Sequence, residues 1–459
     1  MTHRLDSEAQ RTPIHVRPFR YGAYLATGLG PPPPLDRRLT ENSLSPKPMN
    51  DSSYWVELRL MIEEMCCDLC RFDESSRLGC LPEDIRIYRE LPLGQPDSFA
   101  DIMIHPPGGP AFFVEVKFGY SDESLLASLR RKYSHKPLIG CDVDKVVLVL
   151  NTRDRPNADT LIAQASATLA PGLRLEVWDG NRLAAMLRSH FGVEVTAIDR
   201  AELLEVRTAI DHAKGWHAFG DGPQESYTHD PLKAQLLWNF GFWKLRELRA
   251  AAGGQIHEIL KPGIYRNVAI LIADLCSFSS FVRDTPDPDI MRESLVAFYS
   301  KTRYEILNNG GMHYQFVGDQ VIGLFGLPDQ PKDYLQNAFR TARSLCAIGK
   351  SVSQHWHRKI DRVQERVGLH IGLSIGDLHM LPLRPFSRIY QGFIGDSINM
   401  AARLMAEAAE DEIVATNSFY RRLDPQSQTH FAPIQAVNAK NVGLINAWRT
   451  RVAPGTPNL

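Results

Sequence analysis

Apolar positions change their spacing several times along the chain, and each change marks an element. Residues 1 to about 50 show no apolar period, and the Pro31–Pro34 run sits among Gly28, Gly30, Arg37 and Arg38. Such a stretch cannot bury enough surface to offset its ordering entropy, so it reads as a disordered arm, with Met49 as an alternative start. Beyond Tyr54, residues Trp55, Leu58, Leu60, Met61, Met65 and Leu69 recur at helical spacing. Strands are predicted at Ile85–Tyr88, Ile102–Ile104, Phe112–Val116, Val146–Leu150 and Leu173–Val177. Helices are predicted at Ser121–Tyr133, with Leu125, Leu126 and Leu129 inward, at Thr160–Leu169 and at Asn181–His190. The αβββαβαβ order implies a mixed sheet with helices on its faces.

Gly215, Gly220, Gly222 and Pro223 then break the pattern. Asp230-Pro231 has the form of a helix start, and Leu236, Leu237, Phe240, Trp243 and Leu248 follow at helical spacing. This helix is read either as ordinary core packing or as a carrier of signal or dimer contact. A third pattern begins with a strand at Val268–Ala273 and a helix at Ile290–Asn308. A hairpin follows, Met312–Phe316 and Val321–Phe325, around Gly318-Asp319. Then come a helix at Pro331–Val352, a strand at Val367–Leu373, a helix at Ser397–Ala408 and a strand at Ile413–Ala415. The expected organisation is an arm over 1–50, an α/β unit over 54–198, a linker and helical transducer over 199–262, and a second α/β unit over 263–452.

Charge narrows the function classes. Lys plus Arg is 52 and Asp plus Glu is 53, so no global basic field draws the protein to nucleic acid or anionic lipid. The Val268–Ala273 run is far shorter than the roughly 20 residues of a membrane span, and the N-terminus has no signal-peptide core. Seven cysteines at irregular spacing read as reduced thiols of a cytoplasmic protein. Cys67-Asp68-Leu69-Cys70 lacks two of the four ligands of a zinc site unless Cys66 and Cys80 supply them, so structural thiols are expected. His370, inside an apolar strand, is expected to be packed rather than a base.

Candidate chemistry concentrates in the third pattern. Asp274 ends an apolar strand in Ile272-Ala273-Asp274-Leu275-Cys276-Ser277-Phe278, and Asp319 sits in the hairpin turn. Carboxylates on adjacent strand ends suit paired Mg²⁺ or Mn²⁺ ions, which prefer oxygen ligands and can bind both an attacking oxygen and a polyphosphate. Downstream, Gly395-Asp396-Ser397-Ile398-Asn399-Met400-Ala401-Ala402-Arg403 opens a helix with Asn399 and Arg403 on one face. A planar guanidinium there matches phosphate oxygens.

Together with Gly368-Leu369-His370-Ile371-Gly372, these motifs resemble the class III nucleotidyl cyclase catalytic domain over about residues 265 to 450. The resemblance implies an α/β (α+β) fold with a ferredoxin-like cyclase domain. It also implies two metal ions, Mn²⁺ or Mg²⁺, per site, held by Asp274, Asp319 and the Leu275 carbonyl. Asn399 would orient the ribose and Arg403 would stabilise the reacting phosphorus. Ser277, Phe278 and Lys440 would bind triphosphate, although Asn441 stands where the family has Gly. Family sites form between two head-to-tail subunits, which implies a homodimer.

The base pocket departs from the family. Gln315 occupies the position that is Lys in adenylate and Glu in guanylate cyclases, and Gly392 the position that is usually Asp or Thr. Gly392 thereby removes a base partner expected from the opposite subunit. Unpaired purine edges cost discrimination factors on the order of 10⁴, whereas the Gln315 amide can both donate to and accept from a pyrimidine. Tyr314 and Phe393 would narrow the site, with Tyr314 on the strand face opposite Gln315. This looks like a pyrimidine cyclase of the Pycsar antiphage type, making cyclic UMP from UTP to activate a separate effector. The alternatives are a cytidylate cyclase and a divergent adenylate cyclase. In the N-terminal unit, Asp101, Glu115 and Lys117 resemble the PD-(D/E)xK restriction-endonuclease-like fold, implying either an Mg²⁺ nuclease or a recognition unit that senses nucleic acid or a phage-derived trigger such as a phage protein. The third class of reading is a nucleic-acid-binding or nuclease protein whose cyclase-like domain only dimerises.

Overall fold

The computed structural model describes residues 51–95, 98–137, 139–152, 155–195, 198, 206, 210, 231–285, 287–359, 366–382, 391–439 and 443–452. The arm over 1–50, most of the linker, and the motif residues Lys440 and Asn441 lie outside the described residues.

The N-terminal elements run α1 (Asp51–Leu78), β1 (Arg86–Pro92), β2 (Phe99–His105), β3 (Ala111–Val116), α2 (Asp122–Tyr133), β4 (Val143–Val149), α3 (Ala158–Ala167), β5 (Arg174–Trp178) and α4 (Gly180–Phe191). Local chemistry sets several boundaries. Ser121 caps α2 by accepting from Ser124 N–H, and Asp179 caps α4 by accepting from Arg182 N–H at 2.8 Å. The strands form one sheet in the order β1-β2-β3-β4-β5. The first three are antiparallel, while β3-β4 and β4-β5 are parallel. That is the mixed sheet the pattern predicts, with α1 and α4 on one face and α2 and α3 on the other.

The later elements are α5 (Pro231–Ala251), β6 (Gly263–Leu275), α6 (Phe278–Asp284), α7 (Pro288–Asn308), β7 (Met312–Val317), β8 (Gln320–Phe325), α8 (Tyr334–Lys359), β9 (Leu369–Pro382), β10 (Gln391–Ile394), α9 (Asp396–Glu407) and β11 (Glu412–Thr416), then the short strands β12 (Ala432–Pro433), β13 (Val437–Ala439) and β14 (Gly443–Ile445) and finally β15 (Ala447–Arg451). The sheet order is β12-β15-β11-β9-β6-β8-β7, with β10 on β9. Central strand β6 is apolar on both sides because both are covered. Ala269, Leu271 and Ala273 meet Phe298 of α7 and Leu345 and Trp356 of α8, while Val268, Ile270 and Ile272 belong to the core that includes Ala401 and Met405 of α9. Helix α9 lies directly on the β9 backbone: a Cβ at Gly372 would fall 2.0 Å from the Ala401 carbonyl oxygen.

Two expectations need correcting. Strand β9 continues to Pro382, well past Leu373, and carries β10 as an extra strand. Helix α5 is broken at Gly241, whose φ is 69°. Its Leu236, Phe240, Leu245 and Leu248 are buried in one apolar core shared with Leu58 and Ile62 of α1 and Ile270 of β6. The two sheets are therefore joined by continuous packing.

Candidate active site

Strand β6 ends beside the β7–β8 hairpin, and this register brings two carboxylates together. Asp274 pairs with Gln320, the residue immediately after Asp319. The hairpin loop is only Gly318-Asp319, between the paired Val317 and Gln320. Its first position has φ 64°, a value that glycine supplies without strain. The Asp274 and Asp319 carboxyls hydrogen-bond to each other. Burial, then the neighbouring Asp319 charge and that hydrogen bond, push the Asp274 carboxyl up to about 7. Burial also raises Asp319.

Among the described residues no lysine or arginine pairs with either carboxylate. Both carboxyls are raised by burial, and a cation between them would satisfy both. This donor chemistry fits a divalent metal, since hard ions prefer carboxylate oxygens. The described residues contain no cluster of three or more His, Cys, Asp or Glu side chains suited to a metal. Leu275 follows Asp274 in β6 and is buried. Ser277, at φ 59°, turns the chain into α6, which Phe278 begins.

Asn399 and Arg403 stand on α9, both exposed. Among the described residues neither side chain makes a hydrogen bond or ion pair. Their face of the helix is turned outward, away from Ala401 and Met405 in the core. Gln315 is half-buried on β7 and Gly392 buried on β10. These strands already meet within one chain: Phe393 N–H donates to the Tyr314 hydroxyl at 3.2 Å, and the two rings lie 5.7 Å apart. The wall around Gln315 and Gly392 is thus built by a single chain rather than split between subunits.

The simple alternation expected at Tyr314 also fails. The register shifts between His313 and Gln315, and His313 and Phe316, three residues apart, bring their rings within 4.3 Å. A bulge at this point breaks the period of two, so sequence spacing does not put Tyr314 and Gln315 on opposite faces. His370 is packed as expected, its Nδ1 2.7 Å from the Ala408 carbonyl oxygen. Cys66, Cys67 and Cys70 are buried free thiols on α1, and burial pushes Cys67 up to about 12.

The N-terminal triad is also assembled, with additions. Lys117 Nζ lies 2.6 Å from both Asp101 Oδ2 and Glu115 Oε2. Lys132, from α2, lies 3.0 Å from Asp101 Oδ1 and 2.7 Å from Glu115 Oε2, and Tyr133 donates to Glu115 Oε1. Two carboxylates and two ammonium groups cancel in a nearly water-free cluster. Burial raises Asp101, but Lys117 and Lys132 outweigh it and hold the carboxyl well below its ordinary range. The Lys132 ammonium bridges the same two carboxylates that a metal would bridge, so these residues do not fit a bound divalent ion. Lys132 and Tyr133 were not singled out from the sequence. Their signal was available: they follow Leu129 by three and four residues on the inward stripe of α2, where a lysine requires a buried partner.

Residues 260–448 match the family model of the adenylate and guanylate cyclase catalytic domain. Among solved structures, the guanylyl cyclase Cya2 is 19% identical over 42% of this chain and 96% of its own, with a TM-score of 0.36. The adenylyl cyclase CyaB from P. aeruginosa is 16% identical over 42% of this chain and 97% of its own, at 0.38. The guanylate cyclase domain of RhGC from Catenaria anguillulae in complex with GTP is 18% identical over 41% and 98%, at 0.33. No curated protein matches the sequence. Among the described residues no helix is long and apolar enough to cross a membrane.

Proposed function

We propose that a chain whose residues 260–448 form an adenylate and guanylate cyclase catalytic domain works as a pyrimidine cyclase, converting UTP to cyclic UMP and diphosphate. The contact between Asp274 and Asp319 carries the catalytic part of this reading. With the Leu275 carbonyl, the two carboxylates hold Mg²⁺ or Mn²⁺, two ions per site. The ions supply charge neutralisation for the triphosphate and activation of the ribose 3′-hydroxyl.

The remaining roles belong to side chains. Ser277 and Phe278, at the start of α6, and Lys440 receive the triphosphate. Asn399 orients the ribose, and Arg403 stabilises charge that builds on the α-phosphate. Since Asn399 and Arg403 are exposed and unbonded among the described residues, they are free to face the carboxylates of a second copy in a head-to-tail homodimer. Arg403→Ala should lower kcat more than it raises KM, by about 3 kcal/mol of transition-state stabilisation, in steady-state kinetics.

Base choice rests on Gln315 and Gly392. One amide can serve a pyrimidine edge, while a purine loses two expected partners. Incubating the purified chain with each of four NTPs and Mn²⁺ tests this: UTP should be turned over best, CTP second, ATP and GTP poorly. A preference for ATP under matched metal and pH would overturn the pyrimidine reading. Gln315→Lys with Gly392→Asp should shift activity towards ATP. Production of a cyclic pyrimidine nucleotide suits second-messenger signalling to a separate effector in antiphage defence. The self-neutralised Asp101, Glu115, Lys117 and Lys132 cluster favours a recognition unit over a nuclease for the N-terminal sheet, with a phage-derived trigger as its ligand.

A further inference from the structure

Helix α7 stands between the two halves of the molecule and holds something on each side. Towards the N-terminal half, Arg292 pairs with Glu57, and Ser300 Oγ donates to Glu64 Oε1 at 2.6 Å. Asn308 Nδ2 donates to the Ile87 carbonyl at 2.6 Å. The deepest link is Lys301, which forms a buried ion pair with Glu90 of β1. The second Glu90 oxygen accepts from Ser351 Oγ of α8 at 2.7 Å.

Glu90 is itself unusual. Its φ is 52°, in a region that L side chains rarely adopt, and the β1–β2 pairing skips it between Arg89↔Ile102 and Leu91↔Ala100. The backbone is distorted locally at Glu90 without a change of register, and this one carboxylate reaches two helices of the other half. Nothing in β-sheet geometry favours that conformation, so Glu90 is held by the ion pair and hydrogen bond it makes.

Towards the catalytic sheet, α7 carries Tyr299, two residues before Lys301. The Tyr299 hydroxyl donates to the Gly318 carbonyl, and its ring stacks on Phe316 at 4.1 Å with a 26° interplanar angle. Gly318 is the residue directly before Asp319 in a two-residue turn, and Val317 and Gly318 are exposed. The position of the Asp319 carboxylate therefore depends on a helix gripped by Glu90.

We infer that Tyr299 is a positioning residue for Asp319, and that the Glu90–Lys301 pair is the grip by which the N-terminal half sets the geometry of the catalytic carboxylates. This rests on the reading of Asp274 and Asp319 as metal ligands. Side chains that orient metal ligands typically contribute 10–100-fold in metal affinity.

The test is Mn²⁺ binding to the full chain, followed by electron paramagnetic resonance of free Mn²⁺, without turnover. Tyr299→Phe keeps the ring stack and removes only the hydroxyl, and it should raise the Mn²⁺ dissociation constant roughly tenfold. The relative rates with the four NTPs should not change, because the base wall is untouched. Glu90→Gln should weaken Mn²⁺ binding in the same direction and non-additively with Tyr299→Phe. Should Glu90→Gln fail to fold, Ser351→Ala loosens the same carboxylate more gently and should give a smaller shift of the same sign. Wild-type binding with no change in Tyr299→Phe would overturn this inference while leaving the metal reading intact. Absence of Mn²⁺ binding by the wild type would overturn both. Lower melting temperatures for Glu90→Gln and Ser351→Ala with unchanged Mn²⁺ affinity would reduce the ion pair to a structural contact and overturn the grip.

Discussion

Two pairs of neighbouring carboxylates, one in each half of the molecule, are electrostatic opposites. Asp101 and Glu115 lie against Lys117 and Lys132, and Asp101 is held well below its ordinary range. Asp274 and Asp319 have no ammonium or guanidinium partner among the described residues, and Asp274 is pushed up to about 7. The first pair carries its own counter-charges; the second needs one from outside. A carboxylate pair in a sequence therefore does not identify a metal site until its cations are located, and the deciding residue can lie far away, as Lys132 lies 31 positions from Asp101.

The contrast can be broken most severely at the open pair. Asp274→Ala and Asp319→Ala should each abolish cyclisation while the far-ultraviolet circular dichroism stays at wild type. Each removes one of the proposed metal ligands, and no cluster of acidic or metal-binding side chains among the described residues replaces it. Turnover retained in either variant, with Mn²⁺ present, would remove the distinction between the two pairs.

Next in size is Lys132→Ala. It leaves a buried carboxylate pair with one cation, a loss of the kind that costs about 3–5 kcal/mol, and should lower the melting temperature by several degrees. The variant also opens the position between Asp101 and Glu115. Mn²⁺ should therefore raise its melting temperature by more than it raises that of wild type. Equal rises would mean that the lysine does not stand in for a metal.

The smallest effect, and the one that compares both pairs in a single experiment, is the pH dependence of melting in EDTA. Asp101 has a depressed carboxyl, so its stabilising contribution is present above the unfolded value near 4 and is lost as pH falls below it. Asp274 has a raised carboxyl, so the folded state holds the extra proton and stability falls as pH rises from about 4 towards about 7. Mn²⁺ or Asp274→Asn should flatten the second slope and leave the first unchanged.

Much of this arrangement was legible in the sequence because it is local. The apolar period marked the main elements of both sheets. Gly318-Asp319 between two apolar runs fixed the hairpin and hence where Asp319 would sit. The i, i+4 spacing of Asn399 and Arg403 put them on one helix face. What escaped depends on residues distant in the chain or on broken regularity. Lys132 and Tyr133 enter the N-terminal cluster only because α2 folds back over β3. The positive φ at Glu90 and the bulge at Tyr314 arise without a glycine or proline there to announce them. Gly241 did announce the break in α5, inside a run that otherwise looked helical.

The closed N-terminal network also constrains which sequences can fold this way. Its four charges sum to zero inside a nearly dry cluster. A single change at Asp101, Glu115, Lys117 or Lys132 strands an opposite charge, whereas a matched pair of changes, such as Glu115→Leu with Lys132→Met, leaves none. In a randomised library selected only for soluble, folded protein, these positions would be recovered unchanged or exchanged two at a time. Drift through single steps is closed to them, so a cluster that carries its own counter-charges can hold its composition as firmly as an active site.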